Sequence, residues 1–307
     1  MTASVTELKN AIKQAIHGKD EVIDCVICSI LAKGHVLLED IPGVGKTTLV
    51  TALAKAMSLE YRRIQFTPDV LPSDLTGFTM YDKNTGTFSY HEGAVCTNLF
   101  LADEINRTSP KTQSALLEVM EEGHVTVDGV THDLPSPFLV IATQNPIGAS
   151  GTQKLPESQL DRFMVRLSMG YPDHNSAVDV LKGDSHKTIR NMDAVLTLEE
   201  IEEMQKQTEE IHVSDALYEY AVSLTEATRN PEIFTLGLSP RGSIALLKMA
   251  KAHAFLSGRD FVTPEDFREV YLPVANHRVI LSTKAKAGGL STEKALTDAF
   301  ESVRLPK

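Results

Sequence analysis

His35-Val36-Leu37-Leu38-Glu39-Asp40-Ile41-Pro42-Gly43-Val44-Gly45-Lys46-Thr47-Thr48 opens as an apolar, strand-like run, passes through a glycine-bearing turn, and leads into Leu49 to Met57, rich in helix formers. A strand, a glycine-rich loop and a helix in that order aim backbone N–H groups and the positive end of a helix at one point, which is a cradle for phosphate. Lys46 would add a mobile positive charge for β- and γ-phosphates, and the Thr47 hydroxyl a ligand for Mg²⁺. The full Walker A pattern has glycine six residues before the lysine, where this chain has Asp40. The rest of the core keeps its glycines next to the lysine, where a β-carbon would obstruct the turn or the phosphates. The nucleotide contacts expected from this loop are Pro42, Gly43, Val44, Gly45, Lys46, Thr47 and Thr48. The competing reading of the loop alone is a strand-to-helix turn that contains Gly-Lys-Thr by chance.

A second apolar strand, Asn98-Leu99-Phe100-Leu101-Ala102, ends in Asp103-Glu104. Two acids at a strand's carboxyl end suit a second metal contact at Asp103 and a water-activating carboxylate at Glu104. Acids also cap helices, an alternative that explains one of them better than both. Around these motifs strands alternate with helices. The strands are predicted at His35–Glu39, Tyr61–Phe66, Leu99–Ala102, Phe138–Thr143 and Phe163–Leu167, the helices at Lys46–Met57, Lys111–Glu122 and Glu157–Asp161. Such alternation predicts an α/β domain with a parallel sheet covered by helices on both faces, and ligands at the strands' carboxyl ends. Lys46-Thr47, Asp103-Glu104 and Thr143-Gln144-Asn145 would converge on that edge.

Ahead of the first strand, Val5 to Leu31 has helical periodicity with a break at His17-Gly18. Two insertions interrupt the alternation. Leu71 to Gly93 holds turn formers and β-like pieces such as Thr87-Phe88-Ser89-Tyr90, and Gly123 to His132 reads as a hairpin turning at Asp128-Gly129. After Tyr171-Pro172-Asp173 the strand signals fade. Helices are predicted at Asn175–Leu181, Leu198–Ile211, Ala216–Thr228, Ser243–Ser257 and Pro264–Tyr271. The expected organisation is an α/β nucleotide-binding domain over 1–172 and a small all-helical lid over 173–307.

Composition narrows the functional classes. The chain has 307 residues, 42% hydrophobic and 23% charged, and its net charge of −11 comes from 30 basic and 41 acidic residues. It contains no Lys/Arg-rich run, so nucleic acid is an unlikely ligand, as is an anionic membrane. No apolar stretch is long enough to span a bilayer, and Met1-Thr-Ala-Ser-Val-Thr-Glu lacks a signal profile, so the cytoplasm is expected. Cys25 and Cys28 have the spacing of a redox or zinc pair, but they sit in an apolar helical run with no second pair nearby and read as buried small side chains. The ten histidines show no paired ligand spacing.

Seven segments carry a resemblance: Leu37 to Thr47, Leu71-Pro72-Ser73-Asp74-Leu75-Thr76-Gly77, Asp103-Glu104-Ile105-Asn106-Arg107, Lys111 to Glu118, Ala142-Thr143-Gln144-Asn145-Pro146, Leu155 to Phe163, and Leu238-Ser239-Pro240-Arg241. In these the chain resembles the AAA+ ATPases, and among them the MoxR family, in which acids occur at the Asp40 position. The resemblance implies a P-loop NTPase sheet followed by a helical lid, with ATP and Mg²⁺ as cofactors and Mg²⁺ held by Thr47 and, through water, by Asp103. It implies Glu104 as the group that polarises water and Asn145 as a first sensor orienting it, where the alternative is a turn residue before Pro146. Arg162 would be an arginine finger reaching a neighbour's γ-phosphate, the alternative being a surface pair with Asp161 or Glu157. Arg241 would be a second sensor carried by the lid, the alternative being helix-end decoration. Gly18, with Ile16 and His17, would lie on the adenine side. The family implies a homo-oligomeric ring, a hexamer, that remodels or matures partner proteins, commonly von Willebrand A-domain proteins, with complex assembly or metal insertion as the outcome. A magnesium-chelatase-like motor subunit, a nucleic-acid motor and a non-hydrolysing nucleotide-gated module are the alternatives.

Overall fold

The computed structural model describes residues 2–84, 86–145 and 154–306, so Pro146 lies outside the described residues. Two helices, α1 (Thr2–Ala15) and α2 (Asp20–Leu31), precede β1 (Val36–Glu39) and α3 (Lys46–Ala56). There follow β2 (Tyr61–Gln65), α4 (Pro72–Thr76), β3 (Phe78–Asp82), β4 (Thr87–His91), β5 (Leu99–Asp103), α5 (Pro110–Glu122), β6 (His124–Val127), β7 (Val130–Asp133), β8 (Leu139–Gln144), α6 (Glu157–Leu160) and β9 (Val165–Leu167). The remainder comprises α7 (His174–Lys182), α8 (Asp184–Asn191), α9 (Leu198–Glu210), α10 (Asp215–Ala227), β10 (Phe234–Leu236), α11 (Pro240–Leu256), α12 (Pro264–Ala275), β11 (Ile280–Leu281), α13 (Thr283–Ala287) and α14 (Thr292–Ser302).

The main sheet has five parallel strands in the order β2-β5-β8-β1-β9. Its register sets Glu39 beside Gln144, and Gln65 beside Asp103, so the carboxyl ends of the strands form one level edge. The central strands β5, β8 and β1 read as nearly continuous apolar runs because both faces are covered. Successive side chains leave a strand on opposite sides, so Leu38, Leu99, Leu101 and Ile141 join one core while Leu37, Phe100, Ala102 and Val140 join the other. The first core is shared with Leu49 and Leu53 of α3, the second with Leu116 and Leu117 of α5. Fully burying each such Leu, Ile or Phe contributes about 1.5–3 kcal/mol.

Local signals account for several boundaries. Ser109 accepts the Thr112 N–H at the start of α5, and Gly123, at φ +71°, ends that helix. The β6–β7 hairpin turns at Asp128-Gly129, both with positive φ (50° and 80°), as a type I′ turn requires. Asp173, where the sequence reading divides the chain, caps α7 through the Ser176 N–H. The apolar core does not divide there: α2 packs on α9 and α11, and Gln205 of α9 donates to the Ile30 carbonyl at 2.7 Å.

The C-terminal helices also include elements that the sequence reading lacked. The antiparallel pair β10–β11 is only a few residues long, too short for a period to register, and α8 is almost wholly polar. Helix α14 was legible in principle, since Ala295, Leu296, Ala299 and Phe300 share one buried face. The Cys25 thiol is pushed up to about 12, chiefly by burial, and Cys28 is raised as well. Cys28 lies in the core and Cys25, half-buried, packs against it, and among the described residues no cluster of His, Cys, Asp and Glu could hold a metal ion.

Candidate active site

The loop between β1 and α3 wraps around the amino end of the helix. Gly45, the residue before the first turn of α3, has φ +95°, and Gly43 has φ +87°, a left-handed backbone that glycine adopts without strain. Lys46 is 9% exposed, and its ammonium donates to the carbonyls of Asp40 at 2.7 Å and Ile41 at 3.2 Å, closing the loop on itself. Burial lowers its pKa, against the opposing pull of Asp40, Asp103 and Glu104.

Asp40 explains its own departure from glycine. Its carboxylate accepts the Ser168 hydroxyl at 2.8 Å, the Met169 N–H at 2.5 Å and the Gly170 N–H at 3.2 Å. The side chain thereby ties the phosphate loop to the segment that leaves β9, a bond that glycine has no atoms to make.

Beside the loop stand the ends of β5 and β8. Thr143, buried in β8, donates its hydroxyl to Asp103 Oδ1 at 2.6 Å and accepts the Glu104 N–H at 2.8 Å. That bond pins Glu104 in a left-handed conformation, φ 58° and ψ 48°, which an L-residue rarely adopts. Asn145 Nδ2 donates to Glu104 Oε1 at 3.0 Å and Arg107 Nη1 to Oε2 at 2.7 Å. Burial pushes the Glu104 pKa up, but the bonds from Arg107 and Asn145 outweigh it and hold the carboxyl below its ordinary value. Arg63, one strand over on β2, grips Asp103 Oδ2 at 2.6 Å.

All of these converge. One cleft of about 380 Å³ is lined by Pro42, Gly43, Gly45, Lys46, Thr47, Thr48, Arg63, Gln65, Asp103, Glu104 and Asn145. A strand on each side and a helix end below supply an ammonium, hydroxyls and two acids to a single volume. Across the loop, sharing Gly43, Gly45 and Thr48, a second cavity of about 260 Å³ presents Ile16, Val44, Met169, Pro172 and Val180, an apolar lining suited to a purine ring. Val44 lines this side rather than the phosphate cleft.

Gly18, Arg162 and Arg241 do not line the phosphate cleft of their own chain, and of these Arg162 is the one expected to reach a neighbour's nucleotide instead. Gly18 does not line the cavity, although His17 and Lys19 do. Its φ is +67°, and a β-carbon there would come within 2.6 Å of Asp173 Oδ2, so this glycine admits the cap of α7 between α1 and α2. Arg162 and Arg241 are not among the residues of the phosphate cleft. Arg162 donates to the Leu117 carbonyl at 2.9 Å, and both arginines pair with Glu121 on α5. Neither acid considered as an alternative partner of Arg162 is free for it: Asp161 pairs with Arg278 at 2.7 Å and Glu157 with Lys154 at 2.6 Å. These arginines instead line a separate cavity of about 180 Å³ between α5 and α11.

Arg63, Arg107, Glu121 and Arg278 were not singled out from the sequence. Arg63 had a weak signal, a charged residue inside a strand that ends at the ligand edge. The others gain meaning only from partners distant in the chain or on the next turn.

Comparison with known proteins agrees with this geometry. Residues 35–165 match the ATPase family associated with various cellular activities (AAA), and residues 226–299 match an AAA lid domain. The chain is 38% identical to Chaperone MoxR1 of Mycobacterium tuberculosis over 319 aligned positions, covering 100% of this chain and 84% of that protein. It belongs to the MoxR family of AAA+ ATPases. YeaC of Bacillus subtilis is 47% identical over 96% of this chain and 92% of its own length. A crystal structure of a candidate ATPase from Cytophaga hutchinsonii superimposes with a TM-score of 0.91 at 38% identity, covering 100% of this chain and 96% of that one. The five-stranded sheet of this MoxR-family chain is thus the AAA+ nucleotide-binding body, and it is followed by a helical lid domain matched over residues 226–299.

Proposed function

We propose that this MoxR-family chain binds ATP with Mg²⁺ and hydrolyses it to ADP and phosphate, using the energy to remodel or mature partner proteins. The observation that carries the reading is the common cleft of Lys46, Thr47, Asp103, Glu104 and Asn145. The donor set fits Mg²⁺, a hard cation that takes oxygen ligands and keeps several waters: the Thr47 hydroxyl would hold it directly and Asp103 through water. When bound, the ion supplies neutralising charge for the phosphates.

The protein's own groups perform the remaining work. Lys46 leaves the carbonyls of Asp40 and Ile41 for the β- and γ-phosphates, exchanging two dipoles for anionic oxygens. The loop N–H groups and the amino end of α3 hold the β-phosphate as negative charge develops on it. Glu104, kept ionised by Arg107 and Asn145, accepts a hydrogen bond from the attacking water, and the Asn145 amide orients that water. The apolar cavity beside Val44 and Met169 receives the adenine.

Arg162 and Arg241 lie outside the cleft of their own chain, and this supports their delivery to the γ-phosphate of a neighbouring copy. A guanidinium placed there offsets transition-state charge and is worth on the order of 10³-fold or more in rate. A finger supplied between subunits requires a closed ring, proposed here as a hexamer. The family supports a von Willebrand A-domain protein as the partner. The β6–β7 hairpin carries no Lys or Arg, which disfavours nucleic acid as the client.

Glu104→Gln tests the hydrolytic reading. The variant should bind ATP at wild-type affinity while phosphate release in the presence of Mg²⁺ falls at least about 10²-fold. Unchanged release would remove Glu104 from the mechanism.

A further inference from the structure

Glu121, near the carboxyl end of α5, binds two arginines drawn from different parts of the chain. Arg162 follows α6 and pairs with Oε2; Arg241, in the first turn of α11, pairs with Oε1. Arg162 is fixed further by the Leu117 carbonyl, one turn back on α5. The Glu121 side chain is 36% exposed, so water reaches it and little desolvation opposes its release. The cavity around it also presents Lys248 and Arg278, while Asp161, the other acid on its wall, is taken by Arg278 at 2.7 Å. The cavity is therefore cationic in a chain whose net charge is −11. Among the described ion pairs, Glu121 is the acid that meets either arginine.

We propose that Glu121 is an internal counter-ion: it occupies Arg162 and Arg241 in the separate subunit and yields them to the triphosphate of a second copy of this chain. The proposal rests on the reading that these arginines act on a neighbour's nucleotide. A carboxylate offers one charge and two oxygens to the two guanidiniums. A terminal phosphate offers more charge and three oxygens in the same kind of forked geometry, so it displaces Glu121 where a carboxylate of a client or a loop would not. Until then the two guanidiniums stay together with one of their two charges offset, which weakens the cationic patch that the isolated subunit offers to free anions. Glu121 thus positions the arginines and sets a threshold for productive assembly, and it touches no reacting atom.

Glu121→Gln keeps the side chain's length and an acceptor oxygen and removes the charge. The measurement is ATP turnover as a function of subunit concentration, for wild type, Glu121→Gln and Arg162→Ala, together with thermal unfolding of each. The partly exposed ion pairs lost in Glu121→Gln are together worth about tenfold, so its half-maximal turnover should come at about tenfold lower subunit concentration, while the same loss lowers the unfolding midpoint by only about 2–4 °C. A merely structural role would lower the midpoint without lowering the concentration needed. If Arg162→Ala is inactive and Glu121→Gln needs the same or a higher concentration than wild type, the counter-ion is refuted and the arginine reading survives. If Arg162→Ala turns over like wild type, both fall together.

Discussion

Replacing Thr143 by valine tests whether the acid pair is held by one hydroxyl. Thr143 is 1% exposed, and its side chain is the acceptor for the Glu104 N–H and a donor to Asp103. Valine has nearly the same shape and can do neither. An unsatisfied buried N–H costs about 1–3 kcal/mol, and a lost hydrogen bond to a charged group about 1.5–3 kcal/mol. Arg63 remains on Asp103 Oδ2, and the cleft admits water, so the sum is expected in its lower range, about 2.5–4 kcal/mol. Freed from that bond, the left-handed backbone at Glu104 relaxes and its carboxylate moves away from the attacking water, which should lower kcat by about 10²-fold. Urea unfolding with an unchanged m-value gives the first quantity, and phosphate release at saturating ATP the second. Thr143→Ser, which keeps the hydroxyl, should recover most of both, losing about 1 kcal/mol for the missing methyl. The reasoning fails if Thr143→Val lies within about 0.5 kcal/mol of wild type. It fails equally if serine is as damaging as valine, because the methyl would then be the cause.

Two further outcomes follow from groups beside the cleft. Asp40→Gly, which restores the Walker glycine, removes all three bonds to Ser168, Met169 and Gly170 and should destabilise the protein by about 2–3 kcal/mol and weaken ATP binding, measurable by denaturation and by nucleotide titration. Unimpaired binding would make the tie to β9 dispensable. His35 is held neutral between the Met120 carbonyl and the Val140 N–H, and burial lowers its pKa from 6.5 to about 4. Its folded value lies below the unfolded one, so the unfolded chain takes up the proton first and stability is lost as pH falls from 6.5 toward 4. At about 1.4 kcal/mol per pKa unit that amounts to about 3 kcal/mol, and a His35→Asn variant should show a correspondingly flatter acid limb in unfolding against pH. An unaltered slope would mean that the imidazole is not what titrates.

Much of the site was readable because its parts are local. The loop from Asp40 to Thr48 needs no tertiary information to be recognised, since strand, turn and helix follow one another and the glycines answer a local backbone demand. The same holds for Asp103-Glu104 at the end of an apolar strand, and for the Asp128-Gly129 hairpin. Parallel pairing then brings the two motifs to one edge, because each follows its strand and the strands' carboxyl ends lie side by side.

What the chain's order of residues could not decide was which charged groups meet. Arg162 has acids close by in sequence at Asp161 and Glu157, yet it pairs with Glu121, since a lid arginine had already claimed Asp161. Arg241 and Gly18 are nucleotide groups by position in a motif, and the fold turns one toward α5 and uses the other to let Asp173 cap a helix. Backbone conformation and strand burial depend on neighbours along the chain, so they can be read there. Ion pairing depends on distances of a few ångströms between segments far apart in the chain, and these come into being only when the core closes.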